Sequence, residues 1–529
     1  IIPARVDSSS VVSCLKLIGK RLFERSELTP VSTRLAIKRR AMGDFRPIKH
    51  PMKQLHRANF LFAFPAACLL LSFVLASRAA AQEFAVGKVI EKVSTQKDAK
   101  QTYALYLPGN YTPTKRFPII YAFDPGARGV QPVERFREAA EKYGYIVVGS
   151  NNSRNGPEVP LNEILNALLE DTQARLAIDA NRVYTTGFSG GARVAGLIAF
   201  SLKGQVAGVS GCGAGFPTQG KPAKDLPFAY YGIAGSDDFN LTEVRQLTRT
   251  LDGLGATVHF AVFEGEHAWP PAAYCTEAVE WMELQAMKSN RRERDDKLIA
   301  DLLAKQTNRL RADEAAKKMF DVYLRADALA KDFQGLTNVA EFAAKAEQLK
   351  NAKEIKEGFR QEKADEQLEQ KTQREFYALR DRLKTDELRT SALGELRSYL
   401  AGLRKDSESQ TPGGKRSVAR RALAGFWVSL AEEVAQLRFQ KKYAEAATTL
   451  TLATEIRPNN PQVYFNLARA QALAKNKKDA LEALKKAVEK GFANLEELKT
   501  NADLETVRGE AAYKQLVELL SQKEKTSRQ

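Results

Sequence analysis

The string Gly-Phe-Ser-Gly-Gly at 187–191 constrains this chain more than any other feature. It follows a β-like run, Arg-Val-Tyr-Thr-Thr at 182–186, and leads into an apolar helical stretch at 192–200. A turn between a buried strand and a helix must be tight enough that its flanking positions carry almost no side chain. The strain lifts the Ser189 hydroxyl clear of the sheet. The helix that begins just after it aims backbone N–H groups at any anion forming on a substrate. A merely structural turn could carry the same string, so the partners of Ser189 decide the reading.

A serine hydroxyl is a poor nucleophile until a base takes its proton, and the base needs a third group to orient it. The chain has four histidines, at 50, 56, 259 and 267, of which the first two precede the expected folded region. His259 falls in an alternating strand pattern at 256–263 and reads as a structural histidine. His267 lies just past that strand, in Phe-Glu-Gly-Glu-His-Ala-Trp-Pro at 263–270, and is the well-placed base. The acid is expected where the strand between serine and histidine ends. The run 228–238 closes on Asp237 and Asp238, and either fits. The order serine, aspartate, histidine arises when successive strand ends of one parallel sheet supply the three groups.

On these motifs, residues 84–289 resemble the α/β-hydrolase superfamily, in particular esterases similar to dienelactone hydrolase, polyhydroxybutyrate depolymerase and feruloyl esterase. The resemblance implies an acid three residues after the glycine that closes its strand, so Gly235 points to Asp238 rather than Asp237. His-Ala-Trp-Pro is similar to the histidine loop of such esterases. The oxyanion loop of these families often begins His-Gly, whereas this chain has Tyr-Ala-Phe-Asp-Pro-Gly-Ala-Arg-Gly at 121–129. The implied oxyanion donors are the backbone N–H of Gly190 and that of Gly126 or Ala127. The implied activity is hydrolysis of a small carboxylic ester through an acyl-enzyme, with no metal and no cofactor.

Met52 begins Met-Lys-Gln-Leu-His-Arg, an apolar run follows at 60–76, and Ser-Arg-Ala-Ala-Ala-Gln occupies 77–82. A basic segment, an apolar segment and small residues at a cleavage point make an export signal, with cleavage expected after Ala81. The run is short for a membrane span, which takes roughly 20 residues. Residues 52–81 are thus read as a signal peptide touching the membrane only in transit, and 1–51 as upstream extension. The product is expected in the periplasm or outside the cell.

This reading changes the charge argument. The whole chain carries 81 basic and 64 acidic residues, but 14 of the basic and 4 of the acidic ones lie within 1–81. The remaining 67 against 60 is too dilute an excess to suggest a nucleic-acid partner. Cys14 and Cys68 fall in the excluded segment, which leaves Cys212 and Cys275. Two cysteines in an exported protein predict one disulfide.

Strand patterns at 102–107, 118–123, 145–150, 182–186, 205–210, 228–233 and 258–263 alternate with helical ones at 132–143, 160–177, 190–202, 241–254 and 271–288. That alternation predicts an α/β class: a mostly parallel sheet covered on both faces, with ligands at its carboxyl edge. The catalytic domain is expected over 82–289. No long apolar insertion suggests a lid, which argues against action at lipid interfaces.

Residues 290–406 are charge-rich, lack proline and place apolar residues at helical spacing, with Gly335 and Gly358 as expected helix stops. Residues 290–425 are read as a charged helical linker, broken at 407–415. In the last segment, 426–529, Ala446, Leu450 and Ala453 recur 34 residues on as Ala480, Leu484 and Ala487. This resembles the tetratricopeptide repeat, an all-α module that implies a protein or peptide partner, or packing on the hydrolase. The polar linker predicts few contacts between the catalytic and repeat units. Two functions follow: a serine esterase with an interaction module, or a hydrolase-fold scaffold without activity.

Overall fold

The computed structural model describes residues 83–528 apart from 157, 158, 218, 219, 384 and 412. The expected extension 1–51 and export signal 52–81 lie outside the described residues. Among the described residues, no helix is long and apolar enough to cross a membrane.

Eight strands form one sheet: β1 (Val89–Ser94), β2 (Thr102–Tyr106), β3 (Phe117–Phe123), β4 (Ile146–Ser150), β5 (Ile178–Phe188), β6 (Val206–Cys212), β7 (Ala229–Gly235) and β8 (Val258–Phe263). Their spatial order is β1-β2-β4-β3-β5-β6-β7-β8. β2 runs antiparallel to β1 and β4, and every other pairing is parallel. The period of two divides each strand between two cores. Ile119, Tyr121 and Phe123 of β3 enter one, and Ile120 enters the other.

Between the strands run α1 (Val130–Tyr143), α2 (Leu161–Arg175), α3 (Gly190–Ser201) and α4 (Leu241–Gly253), and α5 (Ala272–Lys288) follows β8. Phe136 of α1 and Ala278, Val279 and Met282 of α5 fill one core. Leu165 and Leu168 of α2 and Ala195 and Ile198 of α3 fill the other. This is the expected α/β arrangement, a mostly parallel sheet with helices on both faces. The pattern missed β1, an edge strand with mostly partly or fully exposed residues and two adjacent charges, Glu91 and Lys92.

The segment expected as a linker is built differently. It contains α6 (Asp296–Ala315), α7 (Met319–Asp332), α8 (Ala340–Leu349), α9 (Lys353–Arg382), α10 (Asp386–Ser407) and α11 (Gly414–Phe439). Leu284 and Met287 of α5 share a core with Ile299, Leu302, Val322 and Leu329, so the chain remains packed across position 289. The expected boundary at 425/426 falls inside α11. Gly358 is no helix stop: it lies within α9, where an added Cβ would collide with the Phe320 ring. Its lack of a side chain lets α7 and α9 approach closely.

The repeats follow as α12 (Tyr443–Ile456), α13 (Pro461–Leu473) and α14 (Lys477–Glu489), then α15 (Leu495–Thr500), a 3₁₀ turn at Ala502–Val507 and α16 (Ala511–Arg528). Ala446, Leu450, Ala453, Ala480, Leu484 and Ala487 are all buried. Phe492, at the place corresponding to Pro458, stacks on Phe465 at 4.2 Å. Phe376 of α9, Phe426 of α11 and Ala453 of α12 belong to one cluster, which makes α9–α13 a continuous array.

Candidate active site

The end of β5 and the start of α3 make the sharp turn that the glycines predicted. Ser189 sits between them at φ 54° and ψ −121°, a conformation that costs a non-glycine residue energy. A Cβ at Gly187 would collide with the carbonyl of Gly191, and one at Gly191 with the carbonyl of Phe123. Only bare backbone fits where β3, β5 and α3 meet. The Ser189 N–H donates to the Cys212 carbonyl at 2.8 Å, which fixes the turn against β6. Ser189 itself is half-buried, at the N-terminus of a helix of twelve residues.

Two strands along, the loop after β7 carries Asp238, whose side chain is fully buried. His267 Nδ1 lies 2.8 Å from Asp238 Oδ1. An ionised carboxylate only accepts, so Nδ1 donates and Nε2 keeps its lone pair. The Asn240 N–H also donates to Asp238 Oδ1, at 2.8 Å, and Asn240 Nδ2 donates to the Gly213 carbonyl at 2.7 Å. The imidazole lies between two aromatic contacts, its centre 4.5 Å from that of Phe188 and 4.1 Å from that of Phe239. Phe188 immediately precedes Ser189, so the serine turn and the histidine loop are neighbours. Gly213 fits among these groups because a Cβ there would stand 2.8 Å from Asp238 Oδ2 and 3.2 Å from His267 Cε1.

Of the three expected oxyanion positions, Gly190 opens α3 beside Ser189. Gly126 and Ala127 are differently engaged. The Gly126 N–H donates to Asp124 Oδ1 at 2.8 Å and the Ala127 N–H to the Asp124 carbonyl at 3.1 Å. Both are committed to holding their own loop.

Asp124 was not singled out by any motif. It is fully buried at the end of β3 and receives Arg128 Nε at 2.8 Å, Arg128 Nη2 at 3.0 Å and Trp269 Nε1 at 2.7 Å. Trp269 follows His267 by two positions, so this one carboxylate joins the loop after β3 to the histidine loop. A charged residue directly after a wholly apolar strand was the available signal. Asn155 was missed as well: its carboxamide lies against Gly190, leaving no room for a Cβ there.

The other sequence candidates stand apart. His259 Nδ1 lies 2.9 Å from Asp332 Oδ2 of α7, and its ring stacks on Tyr231 at 4.7 Å, which makes it a packing residue as expected. Asp237 pairs with Arg420 of α11 at 3.2 Å, not with His267. Cys212 and Cys275 are free, buried thiols, and the expected disulfide is absent. Both sit in the core between the sheet and α5, where the Cys275 thiol faces the Pro270 carbonyl at 3.9 Å and Cys212 faces Ser210 Oγ at 4.0 Å. Burial pushes the Cys212 thiol up to about 12 and holds that of Cys275 well above the usual range. Among the described residues no cluster of histidine, cysteine and carboxylate side chains could hold a metal ion.

Residues 439–500 match the tetratricopeptide repeat. No curated protein matches the chain. Similar solved structures include a thermostable esterase, at 19% identity over 36% of this chain and 62% of that one, with a TM-score of 0.28. The chain therefore spans less than two thirds of that esterase. Another is FphF, a fluorophosphonate-binding serine hydrolase of Staphylococcus aureus, at 13% identity over 37% of this chain and 99% of that one, with a TM-score of 0.31. A third is the feruloyl esterase module from Clostridium thermocellum, at 14% identity over 37% of this chain and 87% of that one, with a TM-score of 0.29.

Proposed function

We propose that this chain, an α/β-hydrolase sheet joined to a tetratricopeptide-repeat array, is an exported serine hydrolase that cleaves small carboxylic esters. The observation that carries the reading is the 2.8 Å contact between His267 Nδ1 and buried Asp238, beside a serine held in a strained turn at a helix N-terminus. In this reading Ser189 Oγ attacks the ester carbonyl carbon while His267 Nε2 takes the hydroxyl proton. The negative oxygen that forms is met by the Gly190 N–H and the N-terminal end of α3. His267 then passes its proton to the departing alcohol oxygen, leaving Ser189 acylated. Water attacks the acyl carbon, gives its proton to the same nitrogen, and the serine is restored as the acid leaves. Asp238 holds the imidazole in the needed tautomer and stabilises its charge throughout.

In this reading the basic, apolar and small-residue run at 52–81 is an export signal, and the chemistry takes place in the periplasm or outside the cell. The repeat array offers its helices to a protein or peptide partner. A second reading, a hydrolase-fold scaffold without activity, draws on the engaged N–H groups of Gly126 and Ala127. A fluorophosphonate probe separates the two. Covalent labelling that disappears in Ser189→Ala supports the enzyme, whereas folded protein that takes no label supports the scaffold.

A further inference from the structure

Phe239 directly follows Asp238, and its ring meets the His267 imidazole at 4.1 Å. The same side chain meets α11. A Cβ built at Gly425 would lie 3.2 Å from Phe239 Cβ and 3.6 Å from its Cγ. Glycine is among the poorest helix formers, yet it occupies the middle of a 26-residue helix where that helix touches the site. Without a side chain at this point, α11 can press directly on the aromatic ring.

The rest of the acid loop is fastened to the same helices. Arg420 Nη1 donates to Asp237 Oδ2 and Arg421 Nη1 to the Ser236 carbonyl, both at 3.2 Å. Arg421 Nε donates to Glu369 Oε2 of α9 at 2.9 Å, and Thr242 Oγ1 donates to the same oxygen at 3.1 Å. The Arg421 and Glu369 side chains are 5% and 3% exposed, so this pair lies out of water with little freedom to move. Ser236, Asp237, Phe239 and Thr242 are therefore all held by helices outside the sheet unit, with Asp238 among them turned to the histidine.

We propose that α11 is a wall of the substrate cleft, and that Phe239, backed by Gly425, sets the size of the ester that reaches Ser189. The inference rests on the serine-hydrolase reading. It assigns the helical array a part in substrate selection, beyond any partner that its repeats bind. The acyl or alcohol group nearest His267 is a small one, because an aromatic ring braced by a helix leaves no room to yield.

The test compares full-length wild type, Phe239→Ala, Gly425→Ala and Gly425→Leu on p-nitrophenyl acetate and p-nitrophenyl octanoate, with circular dichroism and thermal melting as fold controls. Phe239→Ala is expected to raise the octanoate-to-acetate ratio of kcat/KM by about tenfold or more, as widening a pocket does. Gly425→Leu, which drives the ring inward, is expected to lower the ratio, and Gly425→Ala to lower it less. Folded variants whose ratio matches wild type overturn the inference while leaving the hydrolase reading intact. Should Gly425→Leu fail to fold, the opposite shifts in Phe239→Ala and Gly425→Ala still decide. Wild type that hydrolyses neither ester and takes no fluorophosphonate defeats the underlying reading instead, and the inference with it.

Discussion

The turn after β5 and the loop after β7 supply two of the three catalytic candidates, but they are held by different means. The Ser189 turn is fixed from within the sheet unit: backbone of Phe123 and Gly191 packs where side chains are missing, and the Cys212 carbonyl takes the serine N–H. The Asp238 loop is held from within by backbone bonds of Ser236 to Phe263 and Asp237 to Gly265, and in addition from outside, by Arg420, Arg421, Glu369 and Gly425 of a helical array that begins beyond α5. The first is a local solution that any chain of this class can carry. The second makes part of the site depend on distant sequence. Damage to the helical array should therefore reach the acid and the base while leaving the nucleophile turn formed.

The largest expected effect lies at Ser189, the proposed nucleophile. Ser189→Ala is expected to lower hydrolysis of p-nitrophenyl acetate by about 10³-fold or more with an unchanged melting temperature. His267→Ala should be equally crippled, and His259→Ala should lose stability but retain most activity, since it removes one of two partners of Asp332 of α7, whose other oxygen keeps Trp281 Nε1, and a stack on Tyr231. Loss of activity in His259→Ala equal to that of His267→Ala would break the assignment of the base.

The next effect sharpens the contrast between the two loops. Glu369→Ala leaves the Arg421 guanidinium buried without its carboxylate and is expected to cost about 3–5 kcal/mol in urea unfolding. Replacing both partners with methionine should recover most of that loss. If Glu369→Ala unfolds at the wild-type midpoint, the helical array does not grip the acid loop as described.

A smaller loss is expected at the clamp between the loop after β3 and the histidine loop. Trp269→Phe removes the donor to Asp124 Oδ2 while keeping an aromatic body, at a cost of about 1–3 kcal/mol. Because the clamp orients the segment carrying His267, kcat should fall with little change in KM. A variant that loses stability and keeps its kcat would reduce the clamp to a packing contact.

The smallest effect concerns the two thiols. With no disulfide, protein lacking residues 1–81 and unfolded without reductant should titrate two thiols, from Cys212 and Cys275, and the same protein in its native state none. Burial raises both above the usual thiol value of about 8.5. The unfolded chain then loses thiol protons at a lower pH than the folded one. The stability held by the neutral thiols is complete below about pH 8.5 and is lost as pH rises toward the folded value. Cys212→Ala should flatten that alkaline decline slightly. A decline as steep in the double alanine variant would assign it to other groups.

The sheet was legible because its residues state their own environment. Fully apolar runs such as 117–123 and glycines at 187, 190 and 191 leave few alternatives to a buried strand and a sharp turn. β1 was hidden because an edge strand with one exposed side need not alternate cleanly. The helical array was legible as helix and misread as linker. Its buried residues, such as Ile355, Phe376 and Leu396, are few among many charges, so the apolar stripe is narrow and the composition looks solvated. Arg421 and Glu369 read as surface charges because nothing local reveals that each buries the other. The disulfide was expected from compartment alone, which says nothing about whether two thiols face each other. Asp237 and Asp238 were told apart only by the resemblance, through the spacing from Gly235; in the loop Asp238 turns to His267 and Asp237 to Arg420.

Whether Ser189 becomes acylated with the help of His267 and Asp238 is settled by quenching the full chain in acid milliseconds after mixing with p-nitrophenyl acetate and weighing its peptides. The expected result is one acetyl group on the peptide containing Ser189, formed in wild type and lost in His267→Ala. Rapid turnover with no acetyl adduct in wild type, or an adduct on any other residue, would contradict it.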